Sequence, residues 1–294
     1  MIKTSYISVI FIWSTTPLAI QWSSQAGPLF GVTSRMLIGL MTLALIFVLT
    51  KQRLTQSKDA LIAYLAAGLG IYLSMSLVYW SAQFIPSGWI SVIFGLSPIM
   101  TGVLSIYFLN ENHFSLLKML GMLLGVIGLL VIFSASESFG LNAVWGVCGI
   151  VAGTFTHALS AIFVKRINAP ISGLEATFGG LLVAVPLFAV TYLSSGEKLS
   201  DLSAVTIYSI LYLGMIATAI GFSMYYFILQ KMDAVRVSLI TLVTPICALY
   251  LGAAFNDELV TLSVVIGTVL VLLGLALFEF DKPTCRTKAC SQST

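Results

Sequence analysis

The sequence predicts an all-α integral membrane protein, in which ten transmembrane helices form two inverted five-helix repeats. Three observations carry this prediction: the composition, the spacing of apolar runs and an internal repeat. Of the 294 residues, 59% are hydrophobic and only 9% are charged, whereas a soluble domain carries roughly 25% charge. Because so few charges cannot cover a water-exposed surface, most of the chain is expected to lie in lipid.

Apolar runs long enough to cross a bilayer recur from one end of the chain to the other. A spanning helix needs about 20 mostly apolar residues, and the runs are too long and too uniformly apolar for the strands of a membrane barrel. Lys3 and the run after it resemble a signal peptide, but no small-residue cleavage site follows, so this run is expected to remain as the first helix. The ten runs lie at roughly 5–22, 29–50, 60–83, 88–109, 115–133, 142–164, 172–193, 204–229, 234–255 and 260–280.

The basic residues predict the orientation of the helices. Lys and Arg favour cytoplasmic loops, and with the N-terminus inside, 12 of the 14 basic residues fall on the cytoplasmic side. Of the other two, Lys198 lies outside and Arg35 lies within a span. The sequence therefore predicts a multi-pass protein of the inner (cytoplasmic) membrane with both termini in the cytoplasm. The acidic residues expected on the outer side are Glu137, Glu197, Asp201, Asp257 and Glu258.

An internal repeat appears when the chain is shifted against itself by 147 residues, because residues 76–111 then align with 223–258 without a gap. The predicted domains are a first repeat at 1–140, a second at 141–281 and a polar cytoplasmic tail at 282–294. Five spans per half is an odd number, so the second half must enter the membrane upside down, as in many secondary transporters. The identical pairs are Ser76/Ser223, Tyr79/Tyr226, Gln83/Gln230, Ser91/Ser238, Ile93/Ile240, Pro98/Pro245, Ile99/Ile246, Leu104/Leu251, Phe108/Phe255 and Glu111/Glu258.

Each repeat carries the same motif: a proline in the fourth helix, then an acidic residue, then a fifth helix with spaced glycines. The motif residues are Ser97-Pro98, Asn110-Glu111, Gly121, Gly125 and Gly128 in the first repeat and Thr244-Pro245, Asp257-Glu258, Gly267 and Gly274 in the second. With the Arg35-Met36 pair of helix 2, this pattern resembles the EamA-type branch of the drug/metabolite transporter superfamily over about residues 4–280. Helix 7 holds no arginine to match Arg35.

The resemblance implies a central cavity lined mainly by helices 1, 3, 4, 6, 8 and 9, with helices 5 and 10 as packing elements. It also implies a secondary transporter, since members of this family are often exporters of amino acids or other small metabolites. Two similar halves that open one face and then the other supply the mechanism, alternating access.

Two prolines are the candidate hinge residues. Pro98 and Pro245 each remove a backbone donor in mid-span, and the freed carbonyl needs a partner or a water-filled cavity. The same position in both repeats favours a hinge or a cavity wall over a tolerated kink. Ser97 and Thr244 precede the prolines and are predicted to bond to the freed backbone or to a substrate.

Four aromatic residues occupy equivalent places in helices 3 and 8. Tyr79 with Trp80, and Tyr226 with Tyr225, are candidates for a substrate-binding lining suited to an amphipathic or cationic molecule. The alternative is an aromatic belt at the membrane interface, because both pairs lie near helix ends. The sequence alone does not separate the two interpretations.

Polar residues within the apolar runs complete the candidate substrate-binding set. His157 lies mid-span, where an ionisable residue indicates function, and it is a candidate for carrying a coupled proton or a neutral core residue. Arg35 is predicted to bind a carboxylate or to snorkel to the outer surface. Trp13 and Thr16 of helix 1 are expected to line the cavity or to pack in the core.

Glutamates and glycines have simpler interpretations. Glu111 and Glu258 are expected to cap helices 5 and 10. Gly121 and Gly125 allow close helix approach, which suits packing between the repeats or a homodimer. Four cysteines match no metal or disulfide motif: two lie inside spans and two in the tail.

Two other functions stay open: a channel or other non-transporting membrane protein, and a membrane-embedded lipid-modifying enzyme. The enzyme would need a convergent polar cluster, but the two histidines, His113 and His157, lie in different segments. No catalytic residue, cofactor, metal ion or nucleic-acid partner is predicted. The expected partners are a small-molecule substrate and the lipid bilayer, with proton coupling and a homodimer as further options.

Overall fold

The structure, a computed structural model, describes residues 2–109, 116–134, 142–200, 202–238 and 240–280, and within these ranges it is helical with no strand. A short 3-10 turn at Ser24–Ala26 joins the first two helices. The helices are α1 (Ile2–Ser23), α2 (Pro28–Thr50), α3 (Lys58–Ser81), α4 (Ser87–Leu109), α5 (Leu116–Ser134), α6 (Asn142–Ile167), α7 (Gly173–Ser195), α8 (Ala204–Lys231), α9 (Ala234–Ser238 and Ile240–Phe255) and α10 (Leu262–Phe280).

The predicted fold class is confirmed, and the ends of the ten described helices lie within about three residues of the predicted spans. Six of these helices (α2, α3, α4, α6, α7 and α8) are long and apolar enough by themselves to cross a membrane. Shorter apolar stretches lie at Met119–Ile132, Thr244–Phe255 and Leu262–Gly274. The predictions for Glu111, Cys285, Cys290 and the tail at 282–294 fall outside the described residues.

The contacts between helices come in pairs, and the two contacts of a pair are related by replacing each helix with its equivalent in the other repeat. The α1–α9 contact has its counterpart in α6–α4, the α2–α8 contact in α7–α3, and the α1–α8 contact in α6–α3. Three further contacts, α5–α10, α4–α9 and α2–α7, join each helix to its own equivalent. The two repeats of the sequence are therefore also repeats of the structure, and they pack against each other across an extended interface.

Glycines let α5 and α10 approach until their backbones touch. A Cβ atom added to Gly128 would lie 2.6 Å from the carbonyl oxygen of Gly267, and one added to Gly274 would lie 2.5 Å from that of Gly121. Small residues of this kind are what close packing of membrane helices requires. The glycine spacing in the sequence thus serves packing between the two repeats, and the homodimer stays a prediction.

Two helices depart from regular α geometry near the middle of the protein. In α4 the helix ends at Phe94, turns at Gly95, and restarts at Ser97 with Pro98 in the first turn of the new segment, where its missing N–H costs nothing. Pro245, its equivalent, lies inside an unbroken helix. In α8, Leu213–Phe222 is a π-helix, a rare geometry that is frequent at functional sites.

Replacement of Gly274 by valine is expected to lower the free energy of unfolding by about 1–3 kcal/mol, a typical cost of overpacking. The added side chain meets backbone atoms of Gly121 and Gly125, which cannot rotate away. Thermal unfolding of the purified protein in detergent measures the change. Leu273→Val, at the neighbouring and half-exposed position, is the matched control and should leave the midpoint unchanged. Equal midpoints for both variants would contradict the packing role.

Candidate functional site

A cavity of about 70 Å³ lies between the two repeats, and we call it the central cavity. All six helices that the resemblance implied contribute to its wall, and α2 adds Arg35. The cavity exceeds the room that one water molecule needs, yet it falls far below the roughly 300–1,000 Å³ of typical small-molecule sites. The structure thus shows a nearly closed state of this site.

Half of the predicted substrate-binding residues meet in this wall. They come from four different helices, and both repeats supply them. The residues are Trp13 and Thr16 of α1, Arg35 of α2, His157 of α6 and Thr244 of α9.

The wall repeats in position but not in chemistry. Phe94 of α4 and Thr241 of α9 occupy equivalent places after the shift of 147 residues, and both line the cavity. The same holds for Met75 of α3 and Phe222 of α8. The two-fold scaffold therefore presents an aromatic residue on one side of each pair and a different side chain on the other.

Aromatic rings converge beside the cavity into a cluster of Trp13, Phe94, His157, Phe222 and Tyr225. The ring of Trp13 lies 5.1 Å from that of Tyr225 and 5.9 Å from that of His157, centroid to centroid. His157 lies 5.3 Å from Tyr225 and 5.9 Å from Phe94. These separations are those of interacting aromatic pairs, so the cluster forms one continuous wall.

Tyr226 supports this cluster from behind. Its ring lies 5.4 Å from that of Tyr225, and both tyrosines are buried. Neither tyrosine lines the central cavity in this conformation, although Tyr225 contacts two residues that do.

Three further predicted residues lie away from the cavity. Tyr79 is fully buried, and its hydroxyl lies 3.1 Å from that of Ser23, where it joins α3 to the end of α1. Trp80 is 41% exposed on the outside of the helix bundle and packs edge-on against Phe84. Ser97 is buried at the start of the second segment of α4.

Both predicted hinge prolines are buried beside the break in α4 rather than in the cavity wall. Pro98 lies in the first turn after the break. Pro245 packs against the break from the other repeat, since a Cβ atom added to Gly95 would lie 3.6 Å from its Cγ. The two prolines thus flank one irregular point of the α4–α9 interface.

Arg35 is the charged residue of the cavity wall, and it is only 2% exposed. Its Nε donates a hydrogen bond of 2.9 Å to Oγ1 of Thr218 in the π-helical segment of α8. Its Nη1 is buried without a hydrogen-bond partner, and no carboxylate of the described residues lies within 4 Å of the guanidinium. The prediction that Arg35 snorkels to the surface is wrong, because α8 packs over it.

Two threonines of the cavity wall have hydroxyl protons that are already used in hydrogen bonds. Thr16 donates its hydroxyl proton to the carbonyl of Ile12 at 2.8 Å, and Thr244 donates to that of Thr241 at 3.2 Å. Their oxygens retain free lone pairs. Both side chains are therefore available to a ligand as acceptors of hydrogen bonds.

One face of the bundle is closed by a network around Glu258. Its carboxylate accepts hydrogen bonds from the backbone N–H groups of Ser87 at 2.9 Å and Gly88 at 3.1 Å. Asn256 donates to the same carboxylate and accepts from the indole N–H of Trp22 at 3.0 Å. We call these five residues the Glu258 latch, which joins the α9–α10 turn to α1 and α4.

The expectation that Glu258 caps α10 is wrong, because the carboxylate caps α4 of the other repeat. The first N–H groups of a helix lack intrahelical partners, and the helix dipole favours a negative charge there. Glu197 does the same for α2 on this face, accepting from Leu29 and Phe30.

Another carboxylate joins elements on the opposite face. Glu175 accepts hydrogen bonds from the backbone N–H of Thr55 at 3.1 Å and from its hydroxyl at 2.8 Å. It also completes a capping box with Ser172 at the start of α7. Contacts on both faces therefore close the bundle around the central cavity.

Several residues of the site were not found from the sequence. Thr218, Phe94 and Phe222 are ordinary residues of apolar runs, and only the tertiary contact shows that Thr218 holds Arg35. The hydrogen bonds of the Glu258 latch were also not predicted, since the partners of Glu258 on α4 lie about 170 residues away along the chain. No local signal in the sequence identifies such pairs.

The chain is similar in sequence and in fold to known proteins. The uncharacterized transporter YoaV of Bacillus subtilis (strain 168) is 25% identical over 278 residues, which cover 93% of this chain and 95% of YoaV. A probable amino-acid metabolite efflux pump of Salmonella typhimurium is 25% identical over 240 residues, covering 77% of this chain and 80% of the pump. A solved crystal structure superposes with a TM-score of 0.72 at 15% identity, covering 95% and 97% of the two chains, and this likeness concerns the fold alone.

The model of the EamA-like transporter family matches the chain twice, at residues 4–134 and 144–280. Each match spans one of the two structural repeats. The chain therefore belongs to the EamA-like transporter family, and it is a multi-pass membrane protein of a family whose members carry small molecules.

Proposed function

We propose that this protein is a secondary transporter that exports a small metabolite, an amino acid or a related compound, across the cytoplasmic membrane by alternating access. The observation that carries the proposal is the central cavity, which lies between the repeats and gathers polar and aromatic side chains from both. The termini face the cytoplasm in this proposal, which places the Glu258 latch outside and Glu175 inside.

The closed state of the cavity supports a carrier mechanism. A cavity of about 70 Å³ cannot admit a metabolite without movement of the helices around it. The Glu258 latch and the Glu175 contacts close opposite faces, so each can open while the other stays shut. Exchange of conformations between two inverted repeats supplies such a cycle.

The wall chemistry suits an amphipathic solute. Arg35, Thr16 and Thr244 offer one cation and two acceptor oxygens, and the aromatic cluster offers flat apolar surface. An amino acid or a related compound has both kinds of group. The efflux pump of Salmonella typhimurium, similar over most of its length, agrees with this class.

Counterflow in proteoliposomes tests the proposal directly. Vesicles loaded with unlabelled compounds are given labelled amino acids, amines, carboxylates, nucleosides or sugars, and a carrier should concentrate one class transiently with saturable kinetics. Flux that does not saturate would indicate a channel. Product formation by the protein in detergent, where transport is impossible, would indicate an enzyme.

Substitution of Glu258 by glutamine is expected to open the outer face more often. The amide keeps the shape of the carboxylate but loses the charge that favours the helix N-terminus, worth about 1 kcal/mol or roughly fivefold in the open population. In a background without the native cysteines, a Thr16→Cys reporter should react about fivefold faster with a membrane-impermeant thiol reagent added outside.

The control for this experiment is Glu175→Gln, which removes an equally engaged carboxylate from the opposite face. It should leave the outside reaction rate of the reporter unchanged. An equal rate in the Glu258 variant and its parent, or an equal rise in both variants, would show that the latch does not gate the outer face.

Substitution of His157 by alanine is expected to abolish flux driven by a pH gradient while exchange continues. Its imidazole lies in the cavity wall beside Trp13 and Tyr225, where opening to water would let it take up a proton. Uptake with and without an imposed gradient separates the two activities. Phe155→Leu, two residues away and 44% exposed, is the control, and gradient-driven flux that survives in the His157 variant would exclude this residue as the proton carrier.

A further inference from the structure

We infer that the ligand of the central cavity is a monoanion, whose carboxylate binds Arg35, whose other polar groups are uncharged and whose body is aromatic or apolar. The inference rests on the proposed function, because it takes the central cavity as the transport site. It narrows the substrate class by charge, and it predicts that a hydroxy acid or a similar molecule binds more tightly than a zwitterionic amino acid.

The first argument is the incomplete environment of Arg35. A buried charge is expensive unless an opposite charge and hydrogen bonds compensate it. Within the described residues, the guanidinium has a single hydrogen bond, to Thr218, and no carboxylate within 4 Å. One of its nitrogen atoms is buried with no partner. A ligand carboxylate would supply what the protein leaves out, in the two-pronged geometry that a guanidinium favours.

The second argument is the charge of the wall as a whole. Arg35 is charged, His157 is titratable, and no Asp or Glu lines the cavity among the described residues. The wall is therefore positive whichever state His157 adopts. Since charges interact strongly in a site with little water, a ligand of net charge −1 neutralises Arg35. The ammonium of a zwitterion would instead restore one uncompensated positive charge.

The third argument concerns the remaining polar groups. The oxygens of Thr16 and Thr244 can accept hydrogen bonds, because their own protons go to backbone carbonyls. A neutral donor such as a hydroxyl or amide N–H satisfies these oxygens without adding charge. The wall therefore favours an uncharged hydrogen-bond donor, and no carboxylate of the described residues lines the cavity to pair with a cation.

The fourth argument concerns the apolar part of the ligand. Apart from the residues already named, the wall consists largely of apolar side chains, which include Ile20, Met75, Val78 and Ile90. A phosphate monoester would bring two negative charges to one arginine and overcompensate it. A carboxylate on a compact aromatic or branched body matches both the charge and the surface.

Three probes with the same phenyl body separate the charge classes. At neutral pH, 3-phenyllactate carries a charge of −1, phenylalanine is a zwitterion and phenethylamine is a cation. The purified full-length protein in detergent should be stabilised against thermal unfolding by phenyllactate, with an apparent affinity at least tenfold above that for phenylalanine. Phenethylamine should have no effect. In proteoliposomes, phenyllactate should exchange saturably against itself, and phenyl phosphate should not compete.

Arg35→Gln is the decisive variant. It should weaken phenyllactate binding roughly tenfold or more, the range for a charge-assisted hydrogen bond. It should not lower the unfolding midpoint of the unliganded protein, because it removes an uncompensated buried charge, whereas a structural arginine would lower it. Arg35→Lys should fold and keep the order phenyllactate above phenylalanine. Arg166→Gln, at the cytoplasmic end of α6, is the control and should change nothing.

The possible results separate this inference from the proposed function. Saturable exchange of phenylalanine or phenethylamine that is unaffected by Arg35→Gln would overturn the monoanion and leave the carrier standing. Absence of saturable exchange for these probes and for the whole panel of metabolites would overturn both. If neither Arg35 variant yields folded protein, Arg35 is a structural residue and the inference is wrong.

Discussion

The structure depends on one constraint: in a bilayer, polar groups must find their partners inside the protein. Helices satisfy most of the backbone, and their exposed first turns are the remaining difficulty. Here two carboxylates of the second repeat accept hydrogen bonds from the first turns of helices in the first repeat, Glu258 from α4 and Glu197 from α2. Each contact joins one repeat to the other, so the groups that complete the helix ends also hold the closed state together. A conformational change that opens this face must leave these N–H groups to water, which is available at the membrane surface where they lie.

Arg35 violates the same constraint in the middle of the protein. Its guanidinium is buried, its partner Thr218 is neutral, and the π-helix that presents Thr218 is itself an irregular element. Polar groups left incomplete at membrane depth indicate function, since a stabilising aliphatic side chain would otherwise fit. Water or a ligand must serve the guanidinium when the cavity opens. The closed state is therefore held at a cost in stability that a bound anion would offset.

The sequence predicted the helices, their number and the repeat because these follow from local composition and from matches along the chain. It predicted Trp13, Thr16, Arg35, His157 and Thr244 as candidates because each is unusual for an apolar run. It did not separate them from Tyr79, Trp80 and Ser97, which have the same signal and lie elsewhere. Which face of a helix meets the cavity depends on packing, and a pattern with no charged face gives little guidance. The partners of Glu258 and Arg35 depend on contacts between the halves.

The site is asymmetric although its scaffold is two-fold, and this has a consequence for the transport cycle. The shift of 147 residues places Leu182 of α7 opposite Arg35, and this leucine is 44% exposed on the outside of the bundle. Likewise, the residue equivalent to His157 is Ile10, and the residue equivalent to Trp13 is Ser160. If the halves exchange conformations, a ligand bound to Arg35 cannot transfer to an equivalent arginine, because the second repeat has none at that position. One carboxylate can instead stay on one guanidinium while the α4–α9 and α1–α8 contacts rearrange around it. The two-fold scaffold then allows the motion. The residues without an equivalent in the other repeat form a single binding site, which opens to each side in turn.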